Sequence, residues 1–280
     1  RGVPVVMGGV HSSMLPEEAL QHVDAVVVGE GEEIWPDLIA DLRKRQMGRI
    51  YAGGEFVDPS KLPLPRRDLL NEKFYFPLKL LETTRGCPHH CDFCGVSKFF
   101  GFRYRNRPIS EIDRELRTLF QKGPVMAPAL KNFLSVFNRD LPYFLKRRLL
   151  YIIDSNVAGD RRFCLDLVSL LKEYDLLWWG HAPVSVAFDH KLLEGFCQSG
   201  CIALNIGFES FSTKNLNTMG KGFNQPSRYA EAVKRIHEQG IGIMGTFIVG
   251  LDDDDPGVFE RIVDFCVDSK LDWALTFIMA

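Results

Sequence analysis

Residues Glu82-Thr83-Thr84-Arg85-Gly86-Cys87-Pro88-His89-His90-Cys91-Asp92-Phe93-Cys94-Gly95 set three cysteines in a Cys-x3-Cys-x2-Cys run. Three thiolates this close on one loop can face a common centre, but a tetrahedral zinc site or a fully thiolate-ligated iron–sulfur cluster takes four ligands. One corner is left open. A 4Fe–4S cluster held by three cysteines keeps one iron free for a small molecule, which turns an electron carrier into a catalyst. The plainer alternatives are a zinc knuckle completed by His89 or His90, or three unrelated core thiols. Zinc motifs usually come as two separated ligand pairs, and this chain has no second pair. Cys164, Cys197, Cys201 and Cys266 are scattered through apolar or helical stretches, where free cysteine behaves as a small buried hydrophobe.

Outward from the loop, strand and helix patterns alternate. The run follows the strand-like stretch 78–84, and further strands are expected at 149–154, 177–181, 202–207, 242–249 and 272–279. Amphipathic patterns between them predict helices at 109–120, 161–174, 191–198, 228–239 and 256–267. Such repetition implies an α/β fold with parallel strands and outer helices, closing partly into a barrel whose function gathers at the C-terminal strand ends. Residues 121–148 exceed what a first crossover needs and hold a further predicted helix around 129–137, read as a surface insertion without chemical role, with a lid or a partner surface as the alternative.

Residues 1–45 read as strand, glycine-rich turn, helix, strand, turn and helix, the order of a parallel sheet. Gly53, Gly54, Pro59, Pro63, Pro65 and Pro77 mark 46–77 as a linker, in which Arg66 and Arg67 read as a tethered, solvated loop. Arg1 in place of methionine and an apolar stretch at the far end make both ends look cut.

Of the 280 residues, 46% are hydrophobic and 25% charged, an ordinary globular composition. A net charge of −2 gives no electrostatic footprint for nucleic acid or anionic lipid. No apolar run reaches the ~20 residues of a membrane span, and the N-terminus lacks a signal-peptide layout. Seven cysteines without paired spacing argue against a disulfide framework and point to the cytoplasm.

With Phe93 just ahead of its last cysteine, the Cys-x3-Cys-x2-Cys loop resembles the cluster loop of the radical S-adenosylmethionine (radical SAM) superfamily. Gly8-Gly9-Val10-His11, Pro16-Glu17-Glu18-Ala19 and Asp24-Ala25-Val26-Val27-Val28-Gly29-Glu30-Gly31-Glu32 resemble the end of the Rossmann-like cobalamin-binding domain that precedes many radical SAM cores. The resemblance implies the C-terminal part of such a domain at 1–45, then a partial (β/α)6 TIM-like barrel core at 78–280. It also implies a 4Fe–4S cluster on Cys87, Cys91 and Cys94, with SAM chelated to the open iron. Reductive cleavage of SAM would then start radical chemistry on a small-molecule substrate, fed by an external donor such as flavodoxin or ferredoxin. Cobalamin-dependent methyl transfer is one reaction this leaves open. The Asp-x-His-x-x-Gly loop expected to supply a cobalt-ligating histidine would lie upstream of residue 1, and His11, in a different loop, reads as a capping or surface residue.

Further residues follow from the same resemblance. Phe93 would pack on the adenine or keep the loop dry. Asp154 and Asn156, after the second strand, stand where the superfamily often carries Gly-Gly-Glu to receive the SAM amino group; Asp-x-Asn-x-x-Gly also suits a turn. His181 ends the third strand, facing the site. Gly207, Glu209 and Ser210 end the fourth, with Glu209 accepting from ribose hydroxyls and Gly207 letting a ligand approach the backbone. Lys221 would meet the SAM carboxylate, the plainer alternative being an exposed loop lysine, and Gly250 closes a strand forming the adenine shelf. Asp252 to Asp255 read as a helix N-cap at Asp255 plus a solvated loop. The rival from another class is a non-catalytic iron–sulfur electron carrier or sensor, which would call for a fourth thiolate.

Overall fold

A computed structural model describes residues 2–54, 56–71, 74–75, 78–120 and 148–279. The helix expected around 129–137 lies outside the described residues. The chain divides into two compact units, one comprising 1–63, 85–90 and 94–105, the other 64–84, 91–93 and 106–280.

The first unit contains a three-stranded parallel sheet of β1 (Val6–Met7), β2 (Ala25–Val28) and β3 (Ile50–Ala52), with β2 central. Ala25, Val26 and Val27 are buried on both faces, which is why the central strand reads as an unbroken apolar run. Ile50–Ala52 belongs to the stretch expected to be linker; three residues are too short to show a period-two signal. Helices α1 (Val10–Met14) and α2 (Pro16–Ala19) follow β1. Helix α3 (Trp35–Lys44) carries Asp37 in its first turn and Arg43 and Lys44 in its last, matching the helix dipole, and buries Leu38. Helix α4 (Gly95–Phe100) starts directly after Cys94.

The second unit is built on a six-stranded sheet. Its strands are β4 (Leu78–Leu81), β5 (Arg148–Ile152), β6 (Leu176–Ala182), β7 (Cys201–Glu209), β8 (Gly242–Val249) and β9 (Trp273–Ile278). They lie side by side in chain order and every pairing is parallel. That order is what successive strand–helix units of one hand produce. Leu150, Ile152, Trp178, Leu204, Ile206, Phe208, Ile243 and Phe247 form one buried face, packed with apolar residues of α5 (Ile109–Leu119), α6 (Arg161–Lys172), α7 (His190–Gln198) and α9 (Tyr229–His237). The alternate residues Tyr151, Trp179, His181, Gly207, Met244 and Thr246 are only partly buried and line the other face. Asp160 caps α6 through Phe163 N–H at 3.1 Å, and Asp189 caps α7 through Leu192 N–H at 3.2 Å. Helices α8 (Thr213–Thr218) and α10 (Val258–Asp268) complete the described α-helices.

Two local expectations change. Arg67 is not a solvated tether: it pairs at 2.6 Å with Glu115 of α5, whose other oxygen meets Arg107 at 2.6 Å. Asp255 is not the N-cap of α10; Gly257 is, and Asp255 accepts from Gly257 N–H at 2.7 Å and from Arg261 at 3.0 Å. Pro256 alone separates Asp255 from the cap, and Pro256 and Gly257 form a short turn first. No helix among the described residues is long and apolar enough to cross a membrane.

Candidate functional site

Cys87, Cys91 and Cys94 are not in disulfides and are all partly accessible. Cys87 and Cys94 fall in the first unit and Cys91, with Phe93, in the second. Gly86 turns the chain into the loop at φ +81°, and a Cβ there would come within 2.2 Å of the Arg103 carbonyl oxygen, so the position requires glycine. Cys87 N–H donates to the Gly101 carbonyl at 3.2 Å, tying the start of the loop to the end of α4. The donor set suits an iron–sulfur cluster: thiolates that each take a separate iron need not converge on one point. Among the described residues no three His, Cys, Asp or Glu side chains gather on a single metal-sized position. Two of the other cysteines differ in kind. Burial pushes the Cys164 thiol up to about 12 and Cys201 well above its ordinary value, which makes both poor thiolate donors.

Within the second unit the middle of the cysteine loop meets the segment after β7. Asp92 N–H donates to the Met219 carbonyl at 3.1 Å, Cys91 Sγ lies 3.9 Å from the Gly220 carbonyl oxygen, and Lys221 Nζ stands 5.9 Å from the centre of the Phe93 ring. Lys221 also pairs with Glu209 at 2.5 Å, with both side chains largely buried. Glu209 is the last residue of β7 and holds φ +66°, a backbone region that non-glycine residues seldom enter. The β7–β8 register slips at this point, Gly207 opposing Thr246 and Glu209 opposing Phe247. Such a bulge re-aims a side chain beside a site. Among the described residues the second Glu209 oxygen has only a long contact, 3.5 Å to the Thr246 hydroxyl. The glycine at 207 has a different reason from the one its sequence suggested: a Cβ there would lie 2.3 Å from Glu209 Oε1 and 2.6 Å from Lys221 Nζ, so the ion pair itself fills that space. Asn224 fastens the loop by donating to the Gly207 carbonyl at 2.9 Å.

Asp154 follows β5 and is buried, accepting from Thr83 N–H at 2.7 Å and from the Thr83 hydroxyl. Burial raises its carboxyl to about 6, against the lowering effect of the Thr83 donors. Asn156 accepts from Ala158 N–H at 3.0 Å, the turn geometry that Asp-x-Asn-x-x-Gly suits. Ser210 is buried, and its hydroxyl accepts from Ser212 N–H at 3.1 Å. Gly250 has φ +86° and donates to Asp254 at 3.0 Å. The acidic run is divided among separate partners: Asp253 takes Lys214 at 2.8 Å and Asp254 takes Asn215 at 2.9 Å.

His181 sits on the partly buried face, its Nε2 2.7 Å from the Tyr151 hydroxyl and 3.3 Å from Asn205 Nδ2. Burial lowers the His181 pKa and raises that of Tyr151, so both groups favour their neutral forms. Trp179 stacks on Tyr151 with ring centres 5.3 Å apart. Tyr151 and Asn205 were missed in the sequence because each sits inside an apolar strand; the only available signal was a polar residue at the alternate position. Missed as well was the buried carboxylate Glu30, which joins Arg85 and Arg105 beside the cysteine loop.

No family model matches the chain. It is 28% identical over 280 residues to bacteriochlorophyllide d C-12(1)-methyltransferase of Chlorobaculum tepidum, covering 98% of this chain and 56% of the relative. Bacteriochlorophyllide d C-8(2)-methyltransferase of the same organism is 26% identical over 260 residues, covering 89% of this chain and 53% of the relative. The chain thus spans little more than half the length of these relatives. Its fold matches the solved structure of the radical S-adenosylmethionine methyltransferase TsrM from Kitasatospora setae, with cobalamin and a 4Fe–4S cluster bound, at a TM-score of 0.73 and 16% identity, over 99% of this chain and 55% of that one.

Proposed function

We propose that this chain belongs to the radical SAM superfamily, that Cys87, Cys91 and Cys94 hold a 4Fe–4S cluster with one open iron, that SAM binds there, and that the whole protein uses the pair to methylate a carbon of a small molecule. The observation that carries this reading is the attachment of Cys91, Asp92 and Phe93 to the Met219–Lys221 segment and, through Lys221, to Glu209 at the end of β7. Such a cluster, when bound, supplies an electron to the SAM sulfonium.

The chain's own residues bind and orient. Lys221 presents its ammonium to the SAM carboxylate while one of its N–H groups donates to Glu209. The second Glu209 oxygen, weakly engaged by Thr246, accepts from a ribose hydroxyl. Phe93 keeps the loop dry against the adenine, Gly250 leaves room for that ring, and Ser210 fixes the backbone after Glu209. Asp154 and Asn156 shape the turn beneath the SAM amino group, acting through Thr83 and the local backbone. His181 offers its remaining ring nitrogen to the partly buried face. Methyl transfer is favoured over other radical outcomes because the two relatives are named as methyltransferases. Cobalamin is proposed for the whole protein because the TsrM structure carries it; this chain contains no Asp-x-His-x-x-Gly sequence, and His11 is exposed and lies 3.3 Å from Glu18, so no step is assigned to cobalamin here. An external one-electron donor and a cytoplasmic setting complete the proposal.

The test is the paramagnetic spectrum of the reduced, reconstituted protein with and without SAM. Binding at the open iron changes the spectrum. An unchanged spectrum at saturating SAM would favour the electron carrier or sensor over the enzyme.

A further inference from the structure

Glu30 follows β2 and is buried, yet it is ionised and fully engaged. Oε1 accepts from Arg85 at 3.0 Å and Arg105 at 2.8 Å, while Oε2 accepts from Arg105 at 2.9 Å and Val57 N–H at 2.7 Å. Burial alone would raise this carboxyl, but the Arg105 bond, the Val57 N–H, the Arg105 charge and the Arg85 bond together bring it below the ordinary carboxylate range. Both arginines reach further. Arg85 also takes Glu32 at 2.7 Å, and Arg105 donates to the Phe100 carbonyl at 2.8 Å and to the Val57 carbonyl at 2.5 Å, with its guanidinium 4.9 Å from the centre of the Phe56 ring.

These partners bracket the cysteine loop. Arg85 stands two residues before Cys87, and Phe100 ends the helix whose N-cap is Cys94. Gly101, which receives the Cys87 N–H, packs so closely on Phe56 that a Cβ would lie 2.7 Å from the ring. All of these residues belong to the first unit, together with β1–β3. Glu30 therefore ties the strand end of a separate sheet to both ends of the segment that carries Cys87 and Cys94.

We propose that Glu30 is a positioning residue for the cluster: through Arg85 and Arg105 it fixes the two ends of the 85–105 segment, so that the Rossmann-like part of the chain is a structural component of the cluster site. The inference rests on the cluster reading proposed above. A carboxylate bonded to two arginines elsewhere supplies the control. Glu115 pairs with Arg67 and Arg107, each at 2.6 Å, has a side chain as buried as that of Glu30, and lies in the second unit.

The experiment uses the full-length, anaerobically reconstituted protein and follows iron release to a strong chelator, alongside far-ultraviolet circular dichroism to confirm folding. Glu30→Gln keeps shape and removes charge; Arg85→Lys keeps charge and loses the fork that spans Glu30 and Glu32. Both should release iron about tenfold faster than wild type, the fold-change that losing one charge-assisted hydrogen bond corresponds to. Glu115→Gln should release it at the wild-type rate, whatever its cost in stability. Wild-type rates in both Glu30→Gln and Arg85→Lys, or equal acceleration in Glu115→Gln, overturn the proposal. If Glu30→Gln does not fold, Arg85→Lys decides. A wild-type protein that takes up no cluster defeats the cluster reading itself and this inference with it.

Discussion

Glu209 and Lys221 show how one residue pair both builds the site and endangers it. Removing one member of a buried pair leaves an uncompensated charge, and this cost exceeds any net gain from the pair itself. Lys221→Met should therefore destabilise the fold by about 3 kcal/mol in urea unfolding, and adding Glu209→Gln should recover most of it. If the double variant is no more stable than Lys221→Met, the two side chains are not coupled. Asp154 makes a pH prediction. Its folded carboxyl titrates at about 6 instead of 3.8 because burial outweighs the Thr83 donors. Between those values the folded state retains a proton that the unfolded state has released, so stability from this group is full below about pH 4 and is lost as pH rises through about 6. Asp154→Asn should gain on wild type by up to about 3 kcal/mol from pH 4 to pH 7. A difference between the two that stays constant with pH would remove the assignment.

At the scale of elements, the strands and helices of the second unit were legible because long alternation of apolar runs with 3.6-residue patterns leaves few alternatives. β8 was expected at 242–249 and is found there, while β5, β6, β7 and β9 differ by one or two residues at their ends. What could not be read was tertiary. The spacing Glu209 to Lys221 is visible in the chain, but that they meet depends on the β7 bulge and a left-handed backbone, which no periodicity encodes. The β3 strand escaped for a similar reason: it exists through pairing with β2, not through its own pattern. Gly200, between α7 and β7, provides an element-level test. It holds φ +86°, and a Cβ would stand 2.0 Å from the Leu176 carbonyl oxygen in the adjacent β6. Gly200→Ala should lower stability by more than about 2 kcal/mol, since left-handed strain and a backbone clash add together. A thermal midpoint equal to wild type would show that β6 and β7 can part at that corner without cost.

For the whole molecule, chemistry was more legible than placement. Three cysteines at Cys-x3-Cys-x2-Cys spacing announce an incomplete ligand set, and the sequentially ordered parallel sheet supplies the scaffold on which Glu209, His181 and Asp154 come to the C-terminal ends of their strands. The partition of the cysteine loop between two units, with Cys87 and Cys94 in one and Cys91 in the other, is a property of packing that a linear reading assigns wholly to the barrel core. The central claim is that these three thiolates and no others hold the cluster. Iron and acid-labile sulfide analysis of anaerobically reconstituted protein measures it directly, with about four of each per chain expected in wild type and in the Cys164→Ala, Cys197→Ala, Cys201→Ala and Cys266→Ala variants. Cluster absorption should be lost when Cys87, Cys91 or Cys94 is replaced by alanine, whereas a full cluster in the triple Cys87/Cys91/Cys94 variant would contradict the account.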